Sequence, residues 1–394
     1  MKRNVVVVTI LLFSMAVLAA DGLRDYMQAQ TIYWGIDQTI SKDDFNKLVD
    51  LKQKADAPGL TTEQRTQAYT DLFQFVQKVR GFTVGKVPAA MAASNWTEGV
   101  PPIPAPTISA KPGQLGNFQK KGNGKIPMIL IPDLGADWSV FDSFMQRNNS
   151  QFTFYAITLP GFGGTSPPPS RSKLNFGEMK WWNNAEAAVL EFIAKQKIDR
   201  PILLGHQAGS YLAMKLAIEK PQLVRGAIVL NGLLFAEMPG MEKTATQEQR
   251  AVIANSWTPV ELFPNPSQER YRSFIQQGQG YFCKNKEQQA KFAELASKDK
   301  PSTWWNYFAE LATTNLSNDI QKLKVPMLVV PSVHDSESPG FQNNKMALDQ
   351  WSPLDHSVSS LPITVVKMED CRAYATEDQP AKLDEVIRNW TSKL

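Results

Sequence analysis

The chain has 394 residues, of which 43% are hydrophobic, 10% aromatic and 20% charged. This composition is close to the average for globular proteins, so it excludes a disordered, collagen-like or disulfide-scaffold protein. Lysine and arginine number 42 against 38 aspartate and glutamate residues, a formal charge of +4. So small an excess gives no reason to expect nucleic acid as a partner.

The first twenty residues are typical of an export signal. Lys2 and Arg3 precede the uncharged run 5–19, and Ala19 and Ala20 stand where a signal peptidase would cut. The run is shorter than the about 20 residues that cross a bilayer as a helix. We therefore predict that 1–20 is a signal peptide and that the mature protein is secreted or periplasmic, with no stable membrane insertion after cleavage. An uncleaved N-terminal anchor is the alternative.

The residues before position 126 are predicted to lie outside the main core. Residues 21–82 have helical spacing of apolar residues and are predicted to form an N-terminal helical extension. Residues 83–125 are rich in proline and glycine, which indicates a linker with possible edge strands.

From residue 126 onward, short apolar runs alternate with amphipathic helices. This pattern predicts a mostly parallel central sheet flanked by helices, in a core formed by 126–232 and 321–394. The polar, glutamine-rich segment 233–320 interrupts the alternation and is predicted to be an inserted helical cap. The predicted strands are 128–131, 152–158, 202–204, 227–230, 327–330 and 363–367, with helices at 178–196, at 209–220 and from Pro380.

Four ordered segments carry a resemblance to a known family. Segment 201–217 has a buried strand, a Gly-x-x-x-Gly turn between Gly205 and Gly209, and then a helix. Segments 129–138, 155–165 and 371–380 resemble the oxyanion loop, the next strand with its glycine-rich turn, and the loop that carries a catalytic histidine. In this order they resemble the α/β-hydrolase family over about residues 110–394. The resemblance implies an α/β-hydrolase fold and a nucleophile, a histidine base and an acid at fixed positions.

Two of these three catalytic positions hold residues that cannot do the chemistry. Gln207 stands where the family has its nucleophilic serine, and Ala373 best matches the histidine. A carboxamide has no ionisable proton, and alanine cannot act as a base. Asp335 matches the acid, but no imidazole remains for it to orient. Asp133 replaces the usual glycine of the oxyanion loop, and its charge would oppose a developing oxyanion.

The remaining candidates carry weaker expectations. Asp133, Leu134, His206, Gln207 and Ala208 are predicted to line the former substrate cleft. With His334 and Asp335 some of them could also form a metal or acid-base site, but no metal-ligand spacing supports this, so we expect neither metal nor cofactor. Each of the pairs Trp181-Trp182 and Trp304-Trp305 is expected to place one ring in the core and the other at its rim.

A disulfide is predicted between the two cysteines. Export would put Cys283 and Cys371 in an oxidising compartment, where two cysteines usually pair. Two buried free thiols are the alternative.

Three functions remain open at this point. The first is an exported, catalytically degenerate protein that binds a small apolar or ester-like ligand, or a protein partner, in the former cleft. The second is an active hydrolase with a non-triad mechanism that uses Asp133, His206 or Asp335. The third is a structural or interaction protein of the cell envelope.

Overall fold

The computed structural model describes residues 113–169, 175–237, 241, 243–256, 282–333 and 341–394, together with 42–55 and some positions between 57 and 78. The predicted signal peptide and most of the predicted linker therefore lie outside the described residues. Within the predicted N-terminal extension, helix α1 (Lys42–Ala55) carries Asp43 and Asp44 in its first turn. Acidic side chains there stabilise the helix because they face its free N–H groups.

A central sheet of seven strands organises the described residues. The strands are β1 (Gln119–Lys121), β2 (Ile126–Ile131), β3 (Phe152–Ala156), β4 (Ile202–His206), β5 (Gly226–Leu230), β6 (Met327–Val330) and β8 (Ile363–Val365). Their order across the sheet is β1-β3-β2-β4-β5-β6-β8. Only β1 is antiparallel to its neighbour, and the other pairs are parallel. All residues of β4, β5 and β6 are buried, as parallel strands covered on both faces require.

Helices cover both faces of this sheet. They are α2 (Asp142–Arg147), α3 (Lys180–Lys195), α4 (Gly209–Glu219), α5 (Gln247–Ser256), α6 (Lys286–Ala296), α7 (Pro301–Thr313), α8 (Phe341–Trp351), α9 (Ala375–Asp378) and α10 (Pro380–Thr391). Leu203 packs in one apolar cluster with residues of α3 and α4. Its neighbour Leu204 packs in a second cluster with residues of α2 and α10. Successive side chains of a strand point to opposite faces, so β4 contributes to both clusters.

The predicted fold class, a mostly parallel sheet flanked by helices, is confirmed. The ends of the observed strands lie within two residues of the predicted ends, and α10 begins at Pro380 as expected. Helices α5, α6 and α7 lie inside the segment 233–320 that was predicted to be a helical insertion. The domain boundaries themselves stay predictions.

A second, two-stranded sheet lies next to the ends of β6 and β8. Strands β7 (Ser332–Val333) and β9 (Met368–Glu369) pair in parallel. This pairing brings the chain that follows β6 beside the loop that leads into α9. The backbone N–H of Cys371, in that loop, also donates to the Val333 carbonyl over 3.3 Å. The loop that resembles the family's histidine loop, with Ala373 at the matching position, is therefore held against the carboxyl ends of the strands.

Helix α7 of the predicted insertion is joined to helix α3 of the core by a buried carboxylate. Glu310 accepts hydrogen bonds from the backbone amides of Trp181 and Trp182 at 2.9 and 3.0 Å. These are amides of the first turn of α3, which have no partner within the helix. Glu310 therefore caps α3 from a position 129 residues away in sequence.

The two tryptophan pairs differ from each other. Trp305 is buried and Trp304 is partly buried against Phe308, with 4.9 Å between ring centroids, as expected for a core and rim pair. The same expectation for the other pair is wrong, because Trp181 and Trp182 are both buried. The Trp182 indole donates to the Tyr307 carbonyl over 2.8 Å, which allows this ring to be buried without losing its hydrogen bond.

Among the described residues, no helix combines the length and the apolar character needed to cross a membrane.

Candidate ligand site at the carboxyl ends of the strands

The turn between β4 and α4 has the geometry predicted for a nucleophile elbow. Gln207 occupies it with a φ of 46°, a left-handed conformation that is uncommon for a residue with a side chain. The backbone N–H of Gln207 donates to the Leu230 carbonyl at the end of β5 over 2.8 Å, and this hydrogen bond stabilises the turn. A Cβ at Gly205 would collide with the backbone of Ser210, and a Cβ at Gly209 with the backbone of β2. Both glycines are thus required by the close approach of strand and helix.

Ser210 does not lie at the tip of the turn. It is buried in the first turn of α4, and its hydroxyl donates to the Gly205 carbonyl over 2.7 Å. The hydroxyl is engaged in the interior behind the turn, while Gln207 holds the tip.

Asp133 is placed directly against the turn. Its Oδ1 accepts the backbone N–H of Ala208 over 3.1 Å, and the backbone N–H of Leu134 also donates to the carboxylate. Burial raises the pKa of Asp133 to about 7, and the two backbone hydrogen bonds partly oppose this rise. The sequence predicted a charge near the oxyanion position. It did not predict that this carboxylate would occupy the backbone donors themselves.

His206 is buried under the loop before α9. Its Nε2 lies 3.0 Å from the Ala373 carbonyl oxygen, which can only accept, so Nε2 carries the proton and Nδ1 the lone pair. Nδ1 is buried and has no hydrogen-bond partner among the described residues. Burial lowers the pKa of His206 to about 4, although the bond to Ala373 opposes this. His206 is therefore neutral at physiological pH.

Ala373 takes part in the site through its backbone. Its carbonyl also accepts from the Asn231 side-chain amide over 2.8 Å. Asn231 follows β5 with a φ of 54°, and its Oδ1 accepts the backbone N–H of Ser332 over 2.7 Å. Asn231 was not among the residues predicted to lie in the site. The one sequence signal is an asparagine directly after a buried strand, and this signal is weak. It indicates only a turn, because asparagine tolerates the left-handed conformation better than most residues.

Aromatic rings close the site from the side of α6. The ring of His206 lies 4.4 Å from that of Tyr374, which stacks on Phe292 at 4.3 Å between centroids. Burial raises the pKa of Tyr374 well above its ordinary value, and the charge of Asp133 contributes to this rise. The phenol therefore stays protonated.

The site brings together five of the predicted positions. Asp133, His206, Gln207, Ala208 and Ala373 meet at the carboxyl ends of the strands, and Leu134 follows Asp133 in the same loop. Asp335 and His334 lie outside the described residues, so the position of the predicted acid stays a prediction. Among the described residues, no three histidine, cysteine, aspartate or glutamate side chains are close enough to hold a metal ion.

The predicted disulfide is wrong. Cys283 and Cys371 are both described, both buried and both free. The Cys283 thiol lies 3.6 Å from the Asp378 carboxylate, and the Cys371 thiol lies 3.5 Å from the Ser332 hydroxyl. Burial is the main cause that raises the pKa of each thiol to about 12. Little of either is then present as the thiolate that disulfide formation needs.

Comparison with known proteins agrees with the observed fold. The model of the alpha/beta hydrolase family matches residues 128–383, which is more than half of the chain. This protein therefore belongs to the alpha/beta hydrolase family.

Individual relatives are distant. The abhydrolase domain-containing protein abhd-5.2 of Caenorhabditis elegans is 30% identical over 130 residues, which cover 33% of this chain and 28% of that protein. A hydrolase from Pseudomonas aeruginosa superposes with a TM-score of 0.53 at 13% identity, over 70% of this chain and 93% of its own. A thermophilic esterase from Thermogutta terrifontis superposes with a TM-score of 0.52 at 17% identity, over 74% and 99%. At these identities the likeness concerns the fold alone.

Proposed function

We propose that this protein binds a small apolar or ester-like ligand in the former substrate cleft and does not hydrolyse it. The observation that carries the proposal is the contact between Asp133 and the Ala208 amide. That amide follows the nucleophile position, where a hydrolase of this fold stabilises its oxyanion. A carboxyl oxygen of the protein already occupies this donor.

Gln207 and His206 also give little support to acid-base chemistry at the turn. Gln207 has no proton to transfer, and its carboxamide is a very poor nucleophile. His206 is neutral, and its protonated nitrogen is engaged by the Ala373 carbonyl. No second histidine lies near this turn among the described residues, because His356 bonds the Ile363 carbonyl at the start of β8.

An unsatisfied donor supports ligand binding. The Gln207 side-chain nitrogen, Nε2, is buried and has no hydrogen-bond partner among the described residues. Leaving such a donor unpaired costs about 1–3 kcal/mol, so a ligand carbonyl that accepts from it would be favoured. The carboxyl ends of the strands are also where open α/β sheets bind their ligands.

The test combines turnover with binding on the purified protein. We expect no hydrolysis of p-nitrophenyl butyrate above the buffer rate, and saturable displacement of bound Nile red by methyl decanoate. Gln207→Leu should weaken methyl decanoate binding roughly two- to tenfold, the value of one hydrogen bond. Gln321→Leu, a change at an exposed glutamine, is the matched control and should leave binding unchanged.

A second candidate is an active enzyme that uses Asp133 as its base. It is favoured by the pKa of about 7, because a general base works best near the operating pH. Turnover of an ester, lactone or amide by the wild type that disappears in Asp133→Asn would establish it. If neither turnover nor ligand binding is found, an interaction protein of the cell envelope becomes the better description.

Export and a protein partner belong to the same proposal and rest on sequence alone. The signal lies in residues 1–20, outside the described residues. N-terminal sequencing of the protein from a secreting host tests it, and a mature chain that begins at Asp21 or Ala20 is the expected result.

A further inference from the structure

We propose that Asp133 selects ligands by charge, so that the site takes an uncharged carbonyl compound and rejects a carboxylate of the same chain length. This inference rests on the proposed function, because it concerns the occupant of that same cleft. It adds discrimination against a charged ligand, which neither the fold nor the elbow specifies.

The arrangement of donors is the first argument. An anion bound at this turn would need free backbone N–H groups, as a developing oxyanion does. Here the N–H groups of Ala208 and Leu134 are both directed at the Asp133 carboxylate. A ligand carboxylate would meet a like charge where a hydrolase offers donors, and at short range in a protein like charges repel strongly.

The charge of Asp133 has little compensation nearby. No ion pair joins it to a described lysine or arginine, and its pKa is governed by burial and by backbone donors. The neighbouring titratable groups on the other elements are the His206 imidazole, which is neutral, and the Tyr374 phenol, which is protonated. His334 and Asp335 lie outside the described residues.

The second argument is the side-chain N–H donor of Gln207, which has no hydrogen-bond partner among the described residues. Nε2 of Gln207 is an uncharged donor and can hold one carbonyl oxygen of an ester, lactone or amide. A carboxylate loses far more hydration energy than a carbonyl when it is buried, and one neutral donor does not compensate for this loss. The polar groups left open at this turn therefore suit a neutral ligand.

The experiment compares methyl decanoate with decanoate as competitors of Nile red on the full chain at pH 8.5. Decanoate is more strongly hydrated than its methyl ester, which weakens its binding to any apolar site. The informative quantity is therefore how the ratio of the two dissociation constants changes between the wild type and the variants. Asp133→Asn keeps an oxygen that can accept from Ala208 and removes the charge. We expect it to lower the decanoate-to-ester ratio by at least about tenfold, since about 1.4 kcal/mol of repulsion is tenfold in affinity.

Asp133→Gly leaves both backbone donors open and should favour decanoate further. Asp319→Asn removes an exposed carboxylate that pairs with Lys322 and should leave the ratio unchanged. If Asp133→Asn does not fold, lowering the pH of the wild type from 8.5 to 6 gives the same information. Asp133 becomes protonated across this range, while an alkyl carboxylate remains ionised. Decanoate should then bind more tightly, and methyl decanoate should not change.

Each outcome separates the inference from the function on which it rests. If neither compound binds the wild type, both the function and the charge selection are wrong. Equal binding of the two compounds, or an ester preference that Asp133→Asn retains, overturns charge selection and leaves ligand binding intact. A preference for the ester that collapses in Asp133→Asn and survives in Asp319→Asn supports it.

Discussion

The Asp133 carboxylate lies 3.1 Å from the backbone nitrogen of Ala208, 75 residues away along the chain. In this contact the protein presents its own anion to the donor that follows the nucleophile position. The carboxylate has a double effect, because its charge opposes a second anion and its oxygen removes a donor that such an anion would need. Two of the predictions below, the first and the third, depend on this one pair.

The first prediction concerns stability and pH. The pKa of Asp133 is raised from its ordinary 3.8 to about 7 by folding. Between about pH 4 and pH 7 the native state therefore keeps a proton on Asp133 that the unfolded state has lost. The contribution of this protonation to the unfolding free energy is complete below about pH 4 and is lost as the pH rises through 7. Asp133→Asn should consequently be more stable than the wild type at pH 8, by on the order of 2 kcal/mol, and gain much less at pH 4.5.

Urea unfolding of both proteins at the two pH values measures this difference. Asp319→Asn controls for the change in net charge. A gain that is the same at pH 4.5 and pH 8 would show that Asp133 is not the titrating group.

Serine-directed probes provide the second prediction. A fluorophosphonate should not label any serine in 205–210 of the wild type, because Gln207 stands at the tip of the turn and Ser210 is buried with its hydroxyl bonded to Gly205. Mass spectrometry of the treated protein reads this out. Stoichiometric labelling at Ser210 would overturn the description of the site.

The third prediction is a restoration series assayed with p-nitrophenyl acetate. Gln207→Ser alone should remain inactive, since a serine hydroxyl without a base is a weak nucleophile. Adding Ala373→His supplies an imidazole in the loop that already contacts His206. Adding Asp133→Gly frees the donors at Ala208 and Leu134, and one such donor is worth about 3 kcal/mol.

The triple variant should exceed the double variant by roughly a hundredfold or more in turnover. Because Ala373 is buried, thermal unfolding must first show that the histidine is accommodated. A single Gln207→Ser variant that matches the triple variant would mean that another base serves the site.

The fourth prediction concerns the thiols. Under denaturing, non-reducing conditions the protein should show two free thiols, because Cys283 and Cys371 are not paired. In the native protein at pH 8 neither should react quickly with a thiol reagent, since burial raises both pKa values to about 12. Cys283→Ser should reduce the denatured count to one. A denatured wild type without free thiols would contradict the structure.

The fifth prediction tests the link between the predicted insertion and the core. Glu310→Ala should lower the unfolding free energy by about 1–3 kcal/mol, because it leaves the buried amides of Trp181 and Trp182 without their acceptor. Glu294→Ala, which removes an exposed carboxylate paired with Lys298, is the matched control and should change stability little. Equal effects of the two changes would argue against capping by Glu310.

Local features of the fold were predictable because local sequence determines them. Parallel strands buried on both faces appear as continuous apolar runs, and β6 was found at the predicted residues. The elbow was predictable because Gly205 and Gly209 mark a strand and a helix in close approach. Gln207 was accordingly found in this turn, whereas the match of Ala373 to the histidine position stays a prediction.

Contacts between distant segments were not predictable from one sequence. Glu310 meets Trp181 across 129 residues, and no periodicity or motif announces the pair. The cysteine pairing was wrong for the same reason, because it was inferred from their number and expected compartment, whereas the distances and partners of the two thiols decide it. The occupation of the Ala208 donor by Asp133 belongs to this group as well.

The contact between Asp133 and Ala208 bears on how hydrolytic activity could arise in this protein by substitution. Changing Gln207 or Ala373 brings little benefit while the carboxylate remains on the Ala208 amide, and changing Asp133 brings no activity while those two positions lack a nucleophile and a base. Under the proposed function, we therefore expect each of these single changes to bring no activity alone, and only their combination to bring it. Because substitutions mostly arise one at a time, the non-hydrolytic state that we propose would be difficult to leave by single changes.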